Sequence, residues 1–107
     1  MITSSDELKD FIINALEDKK AENIAVMDIA SKISLAKYMI FATGRSTKNI
    51  SAIADFIGTE IKHNSNIKTT IEGLGGSEWV LLDAGDVIVH LFHPEAREHY
   101  KLEELWK

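Results

Sequence analysis

The sequence predicts an α/β protein. It calls for a mixed five-stranded sheet with helices mainly on one face, in the order α-β-β-α-β-β-β-α. Three observations carry that prediction. Two apolar runs, Trp79–Leu82 and Val87–Phe92, flank Asp83-Ala84-Gly85-Asp86, the pattern of a β-hairpin closed by a glycine-containing turn. Two further stretches repeat apolar residues at helical spacing, one around Leu8–Leu16 and one around Ile50–Ile61. The strand–helix–strand segment from Tyr38 to Glu72 calls for a right-handed parallel crossover, which makes the sheet mixed.

The elements follow from local chemistry. Ser4-Ser5-Asp6-Glu7 has the spacing of a capping box, with Ser4 as N-cap and Glu7 at the third helical position. Leu8, Phe11, Ile12, Ala15 and Leu16 form one stripe. The first helix is therefore expected to reach about Lys20, where Lys19 and Lys20 suit the negative end of its dipole. Ile24–Ile29 reads as a strand, Ser31–Lys37 as a connector with a helical turn, and Tyr38–Thr43 as the second strand. Ser46 caps a second helix whose stripe is Ile50, Ile53, Ala54, Ile57 and Ile61. Gly58 costs that helix roughly 1 kcal/mol in propensity and suits close packing. His63–Asn66 is a turn-rich exit, Ile67–Glu72 a third strand, and Gly73–Ser77 a flexible loop. After the hairpin, His93-Pro94 ends the last strand. Pro94, Glu95 and Glu98 then open a C-terminal helix.

In the last strand Val87, Val89 and Leu91 point to one face, and Ile88 and Phe92 to the other. Such a strand wants cover on both faces. A right-handed crossover puts the two longer helices on the same face, leaving only the short C-terminal helix for the other. Part of an apolar face is thus expected to lie open, as an interaction surface or a dimer contact.

Length and charge bound the function. A chain of 107 residues fits one domain with one core, and 45% hydrophobic residues exclude a disordered chain. The absence of cysteine removes disulfide and thiolate chemistry and fits a reducing compartment. The N-terminus lacks the pattern of a signal peptide, and no apolar run approaches the roughly 18 to 20 residues that span a bilayer. A cytoplasmic protein with no membrane contact is expected. The net charge of −5 argues against sequence-independent nucleic-acid binding through phosphates. Residues 1–63 carry eight basic against nine acidic residues, and residues 64–107 four against eight. The acidic half therefore also holds the over-apolar hairpin, a combination that suits a basic protein partner.

Several candidate chemistries compete with structural roles. The Thr43-Gly44-Arg45-Ser46 turn at a helix start could hold an anion, but neither a Walker A motif nor a G-x-G-x-x-G is present, and a Ser cap explains it. His90 and His93 lie three apart on a strand, poor geometry for a metal, and read as satisfied structural histidines. Asp28, Asp83 and Asp86 could hold Mg²⁺ for nucleotidyl transfer, yet the usual D-x-D pair is missing, and turn-stabilising aspartates are the better reading. Trp79, Tyr100 and Trp106 fall in the acidic half. Trp79, between Glu72, Glu78 and the hairpin, is the best candidate for a binding hot spot.

The segments SLAKYMIFATGRSTKNISAIAD (Ser34–Asp55) and EWVLLDAGDVIVHLFHPEAREHYKLEELW (Glu78–Trp106) resemble the ribosomal silencing factor family, also called Iojap-like. The most specific elements are Ala42-Thr43-Gly44, Glu72-Gly73, Trp79–Asp83, Gly85-Asp86 and His93–Arg97. Lys37 stands where the family commonly has Asp, and Ala84 where an aromatic often precedes Gly-Asp, a change expected to trim a contact at the hairpin tip. The resemblance implies a fold similar to nucleotidyltransferases without their catalytic carboxylates. It also implies a non-enzymatic translation repressor without cofactors, which docks on basic ribosomal protein fourteen of the large subunit and blocks small-subunit joining under nutrient limitation. Some members are homodimers. The residues expected at the partner surface are Glu72, Trp79, Leu81, Asp83, Asp86, Phe92, Glu95, Glu98 and Tyr100. The rival functions are a Mg²⁺-dependent nucleotidyltransferase-like enzyme and a self-associating scaffold.

Overall fold

The computed structural model describes residues 2–31, 36–73 and 78–95. Two helices, α1 (Ser5–Asp18) and α2 (Thr47–Asn64), accompany five strands: β1 (Glu22–Asp28), β2 (Tyr38–Thr43), β3 (Thr70–Glu72), β4 (Trp79–Asp83) and β5 (Val87–Phe92). The expected C-terminal helix falls almost wholly outside the described residues, of which Pro94 and Glu95 are helical. The strands form one mixed sheet in the order β1-β2-β5-β4-β3. Only the β2–β5 pair is parallel. β3 still runs parallel to β2, as the crossover expectation required, but β5 and β4 lie between them.

Both helices start where their caps demand. The Glu7 amide donates to Ser4 Oγ at 3.1 Å, and the Asn49 amide to Ser46 Oγ at 3.0 Å. Arg45 N donates to Asn49 Oδ1 at 3.0 Å, so side chains of the chain itself engage the α2 entrance, as the cap reading expects. α1 ends at Asp18, short of Lys20, because Lys20 turns left-handed (φ 61°) and Ala21 N closes back onto Leu16 O.

Both helices pack on the same sheet face. Leu8, Ile12, Leu16, Ile50, Ile53, Ile57 and Ile61 meet Ile40, Ala42, Val80, Leu82, Val87, Val89 and Leu91 there. Gly58 permits the closeness of α2, since a Cβ there would lie 3.2 Å from Ile71 Cδ1. The opposite face carries a second cluster of Ile29, Ala36, Met39, Phe41, Ile88 and Phe92. Tyr38 straps β2 to α1. Its hydroxyl donates to the Asp6 carboxylate, which pushes the phenol up to about 12, and Lys9 Nζ lies 4.9 Å above its ring.

The open apolar face expected from the sequence is narrower than predicted. Met39, Phe41, Ile88 and Phe92 are all buried, and among the described apolar residues Trp79, Leu81, Ala25 and Met27 remain partly accessible on that side. Ala84 is also not a tip contact. It is buried on the helix side and lines an open cleft of about 600 Å³ with Ile2, Leu8, Lys37 and Ile67.

Gly44 joins β2 to α2, its amide bonded to Phe92 O at 2.9 Å. A Cβ at this position would lie 2.3 Å from Ile50 Cγ2 and 2.8 Å from Asn49 Oδ1. Gly44→Ala is therefore expected to destabilise the fold by about 1–3 kcal/mol in urea unfolding, and an unchanged midpoint would show the junction to be loose.

Candidate partner-binding face

The hairpin builds the site. Asp83 Oδ1 accepts from Gly85 N at 2.9 Å, Ala84 N donates to Val87 O, and Gly85 takes the left-handed conformation (φ 81°) that glycine supplies without strain. The turn sets the register that places Trp79 opposite Phe92, Leu81 opposite His90 and Asp83 opposite Ile88. On the other side of β4, Glu72 lies opposite Leu81, and Thr70 opposite Asp83. Cross-strand partners share a face. Glu72, Trp79, Leu81, Asp83 and Phe92 thus converge on the face away from the helices.

These residues differ in what they offer. Trp79 and Leu81 are half-buried, and with Glu72 and Gly73 they line a shallow pocket of about 250 Å³. Glu72 is exposed, as are Glu78, which precedes Trp79 in the chain, and Glu95 beyond the end of β5. Phe92 is 1% exposed, with its ring stacked at 5.4 Å on that of Trp79, so it supports the surface from beneath instead of presenting itself. Asp86 does not join the face. Its carboxylate accepts from Ser5 Oγ at 2.6 Å, and its carbonyl accepts from the amides of Lys37 and Tyr38. Glu98 and Tyr100 lie outside the described residues.

Sequence reasoning missed the organising role of His90. This ring stacks on Phe41 at 5.0 Å and on Phe92 at 6.1 Å, and Trp79 Nε1 donates to its Nδ1 at 3.0 Å. Nδ1 is thereby the acceptor, which puts the proton of the neutral ring on Nε2. Among the described residues Nε2 is buried with no hydrogen-bond partner, as is Nδ1 of His93, so the two read as structural histidines, as expected, but not as fully satisfied ones. Two features pointed to His90 in the sequence: a lone polar residue within an otherwise apolar strand, and its diagonal relation to a tryptophan across the hairpin.

The aspartates do not assemble into a metal site. Asp28 pairs with Tyr38 at the helix-facing side of β1, while Asp83 points to the opposite face, three strand spacings or about 14 Å away. Asp28 Oδ1 accepts from Ala30 N, Asp83 holds the turn, and Asp86 holds Ser5. Among the described residues no three His, Cys, Asp or Glu side chains are grouped to hold a metal ion.

The described residues thus form a small α/β protein whose sheet face away from the helices carries Trp79 and Leu81 with Glu72 at its edge. A family model described as ribosomal silencing factor during starvation matches residues 2–107, and the chain belongs to that family. It is 44% identical over 95 residues to the ribosomal silencing factor RsfS of Zymomonas mobilis, covering 89% of this chain and 71% of that protein. Against the RsfS of Halalkalibacterium halodurans it is 35% identical over 103 residues, covering 96% of this chain and 88% of the relative. A crystal structure from Chromobacterium violaceum matches with a TM-score of 0.92 at 37% identity, covering 97% of this chain and 87% of that one. The family names point to a ribosome-associated regulator.

Burial pushes the His90 imidazole down from 6.5 to about 4. Between those values the unfolded chain binds a proton that the folded chain does not, so stability falls as pH drops through this window. The loss from His90 alone is expected to be on the order of 3 kcal/mol. Comparing unfolding free energies of the wild type and His90→Phe at pH 7 and pH 4.5 isolates it from the carboxylates. Parallel profiles would mean that His90 titrates normally.

Proposed function

We propose that this chain docks on the large ribosomal subunit through the face around Trp79. Occupying that site blocks joining of the small subunit and lowers translation when nutrients are scarce. The observation that carries the reading is the grouping of Trp79, Leu81 and Glu72 around one shallow pocket on a face edged by acidic residues. Membership of the ribosomal silencing family supports the same conclusion.

In this reading the indole and Leu81 supply apolar contact that is already held in place before docking. Glu72, Glu78 and Glu95 supply charge complementary to a basic protein, which raises the association rate and orients the encounter. Ribosomal protein fourteen is the partner whose basic character fits. Phe92 acts as support, and Asp83 and Asp86 act through the turn they hold. Inhibition then needs occupied space and neither catalysis nor a cofactor. The chain works as a single cytoplasmic domain, and a homodimer using the same face would compete with docking.

Co-sedimentation with separated ribosomal subunits, at low and moderate salt, tests the proposal. Retention on the large subunit alone is expected, weakening as salt rises. Trp79→Ala is expected to weaken binding by about 2 kcal/mol or more in a protein that still folds. No retention of the wild type on the large subunit would sink the reading.

A further inference from the structure

We propose that His90 is the positioning residue of the docking face: its Nδ1 holds the Trp79 indole in the orientation that meets the partner. The inference rests on the reading above, in which Trp79 makes the contact. It stands on geometry that a packing role alone does not require. The indole stacks on Phe92 at 5.4 Å with 22° between planes, and its N–H is directed to His90 Nδ1 at 3.0 Å. Stacking limits tilt but does not by itself select between the two ring orientations related by rotation about Cβ–Cγ, and a directed hydrogen bond selects one of them. Orientation fixed before binding lowers the ordering cost of association.

The surroundings of His90 sharpen the argument. Its strand neighbours across the sheet are Phe41 and Leu81, and Ile88 and Phe92 share its face along β5. An apolar ring would suit that setting, because Nε2 is buried there with no partner, a destabilising arrangement. The other nitrogen is engaged with the one residue best placed to be a hot spot. A local conflict with good packing, centred on a binding residue, is what a functional constraint produces. The hydrogen bond requires an unprotonated Nδ1. The ionisable groups on the adjoining strands of this face are Glu72, across Leu81, and Asp83, one row along beside Ile88.

Three variants separate positioning from packing. His90→Phe keeps an aromatic ring and removes the acceptor. His90→Asn keeps an acceptor near the Nδ1 position, and His90→Gln shifts its amide toward the Nε2 position. In a Trp106→Phe background the remaining indole, Trp79, reports its own mobility by fluorescence anisotropy. Affinity for purified large ribosomal subunits is measured by co-sedimentation, and melting temperature by calorimetry. His90→Phe is expected to melt no lower than wild type, yet to bind about three- to tenfold more weakly and show lower anisotropy. His90→Asn is expected to bind better than His90→Gln whatever their melting temperatures. Wild-type affinity in His90→Phe would overturn the proposal, and so would equal affinities of the Asn and Gln variants should the Phe variant not fold. A wild-type protein that ignores the large subunit would instead remove the docking function itself, and this inference with it.

Discussion

The parallel pairing of β2 with β5, from Tyr38 opposite Val87 to Thr43 opposite Phe92, is the constraint on which the rest of the structure depends. A parallel neighbour cannot come from a hairpin, so β5 must be delivered by a remote part of the chain and inserted beside β2. Insertion there makes both strands central. β5 is buried at all six of its positions and β2 at five of six. Central strands need cover on both faces, and the two helices supply it on one. The residues on the other face must then pack among themselves or against something else. The stacked row of Phe41, His90, Phe92 and Trp79 is how this chain meets that demand among its described residues.

The hairpin converts that packing demand into a surface. β4 lies one strand from β5 and is itself flanked by β3, only three residues long. The apolar face therefore thins toward the β3 edge, where Trp79 and Leu81 rest on buried neighbours and remain partly exposed. Glu72 sits on the edge strand, where a carboxylate stays hydrated and also discourages strand-to-strand association. The acidic residues around the turn serve differently. Asp83 and Asp86 are committed to Gly85 and Ser5, and the second bond ties the hairpin to the start of α1. Carboxylates close in sequence thus divide between holding the fold and edging the face.

Much of this was legible because local signals agreed with one another. Ser4 and Ser46 cap their helices, the helical stripes face the sheet, and Asp83–Asp86 forms the turn between strands whose faces alternate as read. β3 was overextended. Thr70 already lies opposite Asp83, the last residue of β4, so Ile67 to Thr69 run past the end of their only neighbour and cannot pair. Ile67 looked like strand because it is apolar, but it packs against the helix-side core while its amide bonds to Ser65 Oγ. Strand order was equally hidden, since nothing in the chain before β5 says that a later strand will separate β2 from β3. Within the candidate site, Trp79, Leu81 and Glu72 can be proposed from residue type and position. Phe92 could not be sorted into support and contact, because exposure depends on neighbours from other strands. His90 was underestimated although its diagonal relation to Trp79 could be read, because the burial of its ring depends on neighbours from other strands. Its importance lies in a diagonal contact across the hairpin and in what its second nitrogen lacks.

In the function proposed above the protein acts by occupying space, which makes a different physical demand from catalysis. It needs no reactive group held at a particular distance, but it needs a surface whose shape survives until the partner arrives. Rigid aromatic rings meet that demand with few rotatable bonds, and each gains from being backed by another ring. The difficulty is that a tryptophan well enough packed to be rigid is easily buried too deeply to be used. Here the register resolves it. Phe92 takes the buried position directly opposite, and His90, one step along the diagonal, reaches the indole nitrogen from within the sheet. The indole is then held from below and from one edge while the residue stays partly exposed. An all-hydrocarbon strand at β5 would pack as well or better, but it would have no atom with which to hold that edge.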